Sequence, residues 1–310
     1  MKTGRVIQST GSVHSVECDG LIYSCTAKGK LRLKSYRSTN PLSVGDIVDF
    51  EDSDKISGVI NAIHERENCI IRKSTNLSKE THIIASNIDQ AIIMFTLQKP
   101  VTTTVFLDRF LIAAESYSIP CIILINKTDI YNSDELKKTT KLSSEYNNIG
   151  YRTIEISVEN KINLDTVADA LKNKISLIAG HSGTGKTSLI NSLAPEYNLK
   201  TDLISDYHLS GKHTTTFASM LKLPFGGYVI DTPGIMGFGL VNLKKEELYH
   251  YFPEIFKFSA NCKYYNCTHI SEPDCAVKKA LEKNKISLSR YKSYLNVFFE
   301  DDDKHRVKEV

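Results

Sequence analysis

Three short motifs, each closing a hydrophobic run, constrain this chain more than anything else in it: NKTD at 126–129 after CIILI, GHSGTGKT at 180–187 after ISLIA, and DTPG at 231–234 after GYVI. Open α/β sheets bind their ligands at the carboxyl ends of the strands, so these loops call for a mostly parallel sheet with all three on one edge. Their order is a second constraint. Usually the phosphate loop comes first and the NKxD motif last; here NKTD comes first. A rotated order keeps the pocket but moves the chain ends, so DTPG leads directly into whatever lies C-terminal.

At 310 residues, with 41% apolar and 24% charged side chains, the chain exceeds one typical domain and can bury real cores. Two or three domains are expected. No run of about eighteen apolar residues occurs, and residues 1–20 lack a basic segment followed by an apolar one. A cytosolic protein without a membrane segment is expected. The formal charge of +3 is too small to imply a nucleic-acid partner by itself. Residues 1–72 alternate in short stretches broken by turn signals at Asp19-Gly20, Lys28-Gly29 and Val44-Gly45-Asp46, the texture of a small β-barrel. From Ala91 the texture becomes βαβ: AIIMF, then Leu107, Phe110, Leu111 and Ala114 at helical spacing, then CIILI. This continues through a charged helix near 133–147, a strand at 151–156, a helix near 163–172 and the strand ISLIAG. A mostly parallel sheet with helices on both faces is the expected result. Near the C-terminus, Leu288, Tyr291, Leu295 and Phe298 fall on one helical face.

GHSGTGKT matches GxxxxGK[ST] and stands between a strand and a helix-forming run, TSLINSL. Gly180, Gly183 and Gly185 let backbone N–H groups turn inward around a polyphosphate, with His181, Ser182, Thr184 and Ser188 completing the wrap. Lys186 is placed to neutralise the β- and γ-phosphates, and Thr187 to offer a hydroxyl to Mg²⁺. In NKTD, Asp129 can accept the N1–H and N2–H₂ of guanine together, a donor pair that adenine lacks. Asn126 is expected to contact the purine and hold the loop, and the Lys127 stem to cover the ring face. Ser157, after YRTIEI, stands where a second base loop belongs, although a serine after a strand is usually only a turn residue. Asp231 is placed to hold Mg²⁺ through water and Gly234 to bond the γ-phosphate. A threonine of GKHTTT at 211–216, Thr215 or Thr214, is the natural further Mg²⁺ ligand, unless the run is only the start of a strand. Ile235 stands where a glutamine would orient the attacking water, so unaided hydrolysis is expected to be slow and His213 is the candidate replacement.

Three of the seven cysteines crowd into one stretch, where Cys262, Cys267, His269 and Cys275 place four ligand-type residues within fourteen positions. Three thiolates and one imidazole suit tetrahedral Zn²⁺ with no open position, hence a structural site. Lys28, Lys30, Arg32 and Lys34 alternate with Leu31 and Leu33, putting four cations on one strand face. That face is either an RNA-binding surface or an ordinary solvated one.

With these residues in hand, the chain resembles the circularly permuted GTPase family that acts on the small ribosomal subunit, the RsgA or YjeQ family. The resemblance rests on VGDIV at 44–48, IIASNIDQ at 83–90, NKTD, GHSGTGKTS, GKHTTT, DTPG and EPDCAVKKAL at 272–281, and so covers nearly the whole length. It implies a multidomain α/β protein: an RNA-binding OB-fold β-barrel at 1–72, a circularly permuted GTPase domain at 73–243 and a helical zinc-binding domain at 244–310. It also implies binding to the small ribosomal subunit and its rRNA late in maturation, and GTP hydrolysis to GDP with Mg²⁺, stimulated by that particle. The histidine of GxHTTT is implicated there, so the expected catalytic set is His213, Lys186 and Thr215 in a protein expected to be monomeric. Lys212, Thr184 and Thr187 depart from the family's usual Arg, Val and Ser. Two other readings compete: an RNA-binding module gated by nucleotide without turnover, and a kinase or ATPase, against which NKTD stands.

Overall fold

The computed structural model of the chain describes residues 1–29, 42–54, 56–73, 81–199, 218–231 and 243–300. Alternation builds the first unit: in β1 (Lys2–Thr10), β2 (Val13–Cys18) and β3 (Leu21–Ala27), inward positions bury Val6, Val16, Cys18, Tyr23 and Cys25. Val48, Phe50 and Ile60 of β4 (Ile47–Asp54) and β5 (Ser57–Ile63) complete this core. The ladder runs β1-β2-β3-β5-β4, with β3 parallel to β5 and β4 pairing back onto β1. Five strands thus close into the expected OB-like barrel without a free edge. Of the basic run, Lys28 is exposed, while Lys30, Arg32 and Lys34 lie outside the described residues.

A two-stranded ribbon, β6 (Cys69–Lys73) and β7 (Thr81–Ser86), leads from the barrel into the second unit. Its joint with the barrel is built on Asp46. That carboxylate is fully buried and accepts four hydrogen bonds: Arg66 Nε and Nη2 at 2.6 Å each, Ser86 Oγ at 2.6 Å and Ser43 N–H at 2.8 Å. Gly45 beside it has φ +96°, and a Cβ there would fall 1.9 Å from the Ser86 carbonyl oxygen, so only glycine lets the two chains approach. VGDIV and IIASNIDQ therefore meet as the two halves of one joint.

In the second unit the strands β8 (Gln90–Phe95), β9 (Cys121–Ile125), β10 (Arg152–Glu155), β11 (Ile175–Gly180) and β13 (Tyr228–Asp231) lie parallel in the order β10-β9-β8-β11-β13. The antiparallel β12 (Ser219–Lys222) lies next at the edge and reaches β1 through Ser219 and Gln8. Ile93, Phe95 and Ile123 pack under α1 (Thr104–Ser116) and α2 (Ser133–Ile149), while Ile92, Met94 and Ile122 pack under α3 (Leu164–Leu171) and α4 (Lys186–Leu193). Both faces are covered, which is why β8 and β9 read as unbroken hydrophobic runs rather than alternating ones.

The third unit packs α5 (Pro253–Ser259), α6 (Ala276–Glu282) and α7 (Leu288–Phe298) around Phe252, Ile255, Val277, Ile286 and Tyr294, and Ile112 of α1 joins the same core. The inner face of α7 differs from the expected one. Leu288 is 57% exposed, and the buried positions are Arg290, Tyr291, Ser293, Tyr294 and Val297. Arg290 can lie inside because its charge is paired: Nη1 donates to Asp108 of α1 at 2.7 Å, and Nε and Nη2 donate to Glu254 of α5 at 2.6 and 3.1 Å. Burial opposes the guanidinium's charge, but Asp108 and Glu254 outweigh it and hold Arg290 well above even the ordinary arginine value. Tyr146 of α2 donates to the same Asp108 oxygen at 2.6 Å, and the Phe252 ring lies 4.7 Å from the guanidinium carbon. Removing one member of a buried ion pair typically costs about 3–5 kcal/mol. Asp108→Ala is therefore expected to speed hydrogen exchange of the α7 amides by at least about 100-fold; unchanged exchange would show that Glu254 alone anchors Arg290.

Candidate nucleotide site and metal centre

NKTD, the phosphate loop and the Ser157 turn are brought together by one side chain. Asn126 follows β9 and is 2% exposed; its Nδ2 donates to the Thr184 carbonyl at 2.8 Å, and its Oδ1 accepts from Val158 N–H at 3.1 Å. The contact is close because Gly185, at φ +98°, has no Cβ, which would otherwise lie 2.5 Å from Asn126 Nδ2. Tyr131 buttresses the same loop: its hydroxyl donates to the Asn126 carbonyl at 2.6 Å and accepts from Leu97 N–H at 2.8 Å. Asp129 is exposed, and its Oδ1 accepts a short hydrogen bond from the buried Ser157 hydroxyl, which in turn accepts from Asn160 N–H at 3.0 Å. Ser157 thus aims the carboxylate. Lys127 stands in the left-handed conformation with φ +68°, and its Nζ donates to the Lys99 carbonyl.

The phosphate loop leaves β11 at Gly180 and enters α4 at Lys186, with Gly180, Gly183 and Gly185 all at positive φ. Thr184 is buried and closes the loop through Oγ1, which donates to the His181 carbonyl at 2.8 Å, whereas Ser182 and Gly183 are exposed at the tip. Lys186 Nζ folds back and donates to the Gly180 and His181 carbonyls at 2.7 Å each. Thr187 is buried in the first turn of α4 and Ser188 is half-buried. Asp231 ends β13 opposite Ile178 of β11. Burial pushes the Lys186 ammonium down with Asp231 opposing, and it pushes the Asp231 carboxyl up with Lys186 opposing. A polyphosphate drawn to Lys186 and a cation drawn to Asp231 would relieve both groups at once. Burial also pushes the His181 imidazole down, with Lys186 adding to it, and that ring stacks on Phe106 of α1 at 3.8 Å. His213, Thr214, Thr215 and Gly234 lie outside the described residues.

Sequence reasoning missed Tyr131, Phe106 and the backbone of Lys99, which wall the site. None stands in a motif: Lys99 lies in the turn after β8, Tyr131 follows the turn after β9, and Phe106 is on the first turn of α1.

Cys262, Cys267, His269 and Cys275 offer four ligand atoms within 4.8 Å of one another. A tetrahedral zinc with Zn–S of about 2.3 Å and Zn–N of about 2.0–2.1 Å has S···S edges of about 3.8 Å and S···N edges of about 3.6 Å. Cys262 Sγ lies 3.9 Å from Cys275 Sγ, and His269 Nδ1 lies 3.6 and 3.5 Å from those two sulfurs. The four residues fit zinc, which would hold their thiolate forms; without it, burial, helped by the neighbouring Cys275 and Cys262 against the His269 N–H, pushes the Cys267 thiol up to about 12. Partners fix the backbone between the ligands. Tyr291 and Tyr294 donate to the His269 and Thr268 carbonyls at 2.7 and 2.6 Å, and Glu272 accepts from the Thr268 and Ile270 N–H groups at 2.7 and 3.0 Å. Burial raises the Glu272 pKa, but these bonds overcome it and bring it to about 2. Cys275→Ser, or stripping of zinc by a chelator, is expected to expose 243–300 to protease while the parallel sheet stays protected; an unchanged cleavage pattern would show that the helices stand without metal.

Two family models match the chain, the RsgA N-terminal domain over residues 3–60 and the RsgA GTPase over residues 63–241. A relative in Christiangramia forsetii, named small ribosomal subunit biogenesis GTPase RsgA, is 50% identical over 308 residues and covers 98% of each chain. A Bacteroides fragilis protein of the same name is 49% identical over 301 residues, 97% of each chain. Among solved structures, YjeQ from Thermotoga maritima superimposes with a TM-score of 0.80 at 33% identity over 96% of this chain and 97% of that one. YloQ, described as a circularly permuted GTPase, gives 0.76 at 29% identity, covering 96% and 94%. The chain belongs to the RsgA GTPase family and is an enzyme that hydrolyses GTP, a nucleotide taken up with Mg²⁺.

Proposed function

We propose that this protein is a GTP-hydrolysing assembly factor that binds the small ribosomal subunit and its rRNA late in maturation. The observation that carries the reading is the Asn126 side chain, which ties three loops into one rim although the chain visits them in permuted order. The relatives' names supply the particle.

In this reading Asp129, aimed by Ser157, accepts from guanine while Asn126 and the Lys127 stem hold the ring. The N–H groups of Gly180 to Ser188 cradle the phosphates, and Lys186 swings from the loop carbonyls to the β- and γ-phosphates. Thr187, Asp231 through water, and Thr215 or Thr214 hold Mg²⁺; Gly234 reads the γ-phosphate; and His213 orients the attacking water when the particle is bound. The units are divided as 1–72, 73–243 and 244–310, with the barrel and zinc unit gripping RNA in a cytoplasmic monomer that needs no membrane partner. No described helix is long and apolar enough to cross a membrane. Hydrolysis releases the DTPG segment, which leads into the zinc unit; because Arg290 clamps that unit to α1, it answers as a body moving with α1.

GTP turnover is expected to rise at least about 10²-fold with purified small subunits and to lose most of that gain in His213→Ala, since a positioned group of this kind contributes roughly 10²-fold or more. Turnover indifferent to the particle would end the reading. Asp129→Asn is expected to weaken GTP by about 10- to 100-fold and to favour xanthosine triphosphate in competition assays; an unaltered preference would remove Asp129 as the guanine reader.

A further inference from the structure

We propose that the loop between the first two zinc ligands, residues 263–266, is a stacking platform for unpaired RNA bases, with Tyr265 as its principal ring. This rests on the reading of the chain as a factor that binds the small ribosomal subunit. All four residues, Lys263, Tyr264, Tyr265 and Asn266, are exposed, Tyr265 at 97% and Tyr264 at 41%. A ring so open contributes no burial to the fold. Single exposed aromatics occur on any surface, but these two are consecutive and held in place. Cys262 and Cys267 bracket them at the metal centre, Cys267 N–H donates to the Tyr264 carbonyl at 3.2 Å, and Cys262 N–H donates to the Ser259 carbonyl at 2.9 Å. A loop tied at both ends loses little freedom on binding, and a tyrosine has few rotamers to surrender.

Charge points to the occupant. Lys263 Nζ lies 5.5 Å from the Tyr264 ring centroid, so a cation stands beside the aromatic pair. A single strand repeats the complementary features, an anionic phosphate next to a base with an open π-face, and sites for it combine cations with aromatic rings. A second aromatic pair flanks the same metal centre: Phe256, 52% exposed, and exposed His250 meet edge to face at 5.2 Å, and Tyr249 beside them lies 4.9 Å from His269. Protein partners instead favour a broader apolar core, which two hydroxyl-tipped rings between Lys263 and Asn266 do not offer.

The test uses the full-length zinc-loaded protein, with binding to purified small subunits and to their protein-free RNA measured across a salt series. Tyr265→Ala is expected to weaken both by about 5- to 100-fold while leaving zinc content, particle-free GTP turnover and the salt slope unchanged. Tyr265→Phe keeps the ring face and is expected to restore binding, whereas Lys263→Ala is expected to lower the salt slope by about one. Equal affinity of Tyr265→Ala and the parent overturns the platform. A loss confined to intact subunits places the loop on a ribosomal protein and overturns it too. If the parent itself fails to bind small subunits, the proposed function fails instead, and the same pair compared on an unstructured oligoribonucleotide decides the platform alone.

Discussion

One buried side-chain amide holds the candidate nucleotide site together. Asn126 has to satisfy a donor and an acceptor inside the protein, and it does so on the Thr184 carbonyl and the Val158 N–H. Leaving either partner unpaired costs about 1–3 kcal/mol, so the three loops are fixed relative to one another before any ligand arrives. Gly185 admits the contact by lacking a Cβ, and Tyr131 props the loop from behind. The pocket is therefore pre-organised by hydrogen bonds that do not depend on the order in which the chain reaches its corners.

The units on either side are attached by the same device, a buried carboxylate on an arginine. Asp46 with Arg66 joins barrel to ribbon, and Asp108 and Glu254 with Arg290 join the zinc unit to α1. Such pairs contribute little net stability compared with well-packed apolar groups, but breaking one strands a charge. They make the joints specific in geometry. Helix α1 thus holds the zinc unit through Asp108 and meets the phosphate loop through Phe106, whose ring stacks on His181.

The permuted order gives this arrangement its use. Asp231 is the last strand residue among those described, and the next described element, from Lys245 to Tyr251, already belongs to the zinc unit through Leu248. In the proposed function the segment that reads the γ-phosphate is therefore also the link to a separate unit, which a GTPase of ordinary order does not provide.

Much of this was legible in the residues themselves. The parallel sheet announced itself through β8 and β9, whose unbroken apolar runs are the mark of strands covered on both faces, and the zinc site through four soft ligands that have few other uses. Local chemistry determines such features: a phosphate loop needs its glycines, and a metal needs its donors, wherever the chain places them. Long-range pairing decided the rest. No window around residue 290 tells that an arginine rather than Leu288 faces inward, because the charges that allow it lie on α1 and α5. Ser157 became more than a turn residue only when folding set it against Asp129, and VGDIV and IIASNIDQ acquired meaning only as two sides of the Asp46 joint. The sequence by itself determined which chemistries this protein carries; the tertiary structure decided which groups meet, because a buried polar side chain is defined by its partner and that partner is remote in the chain.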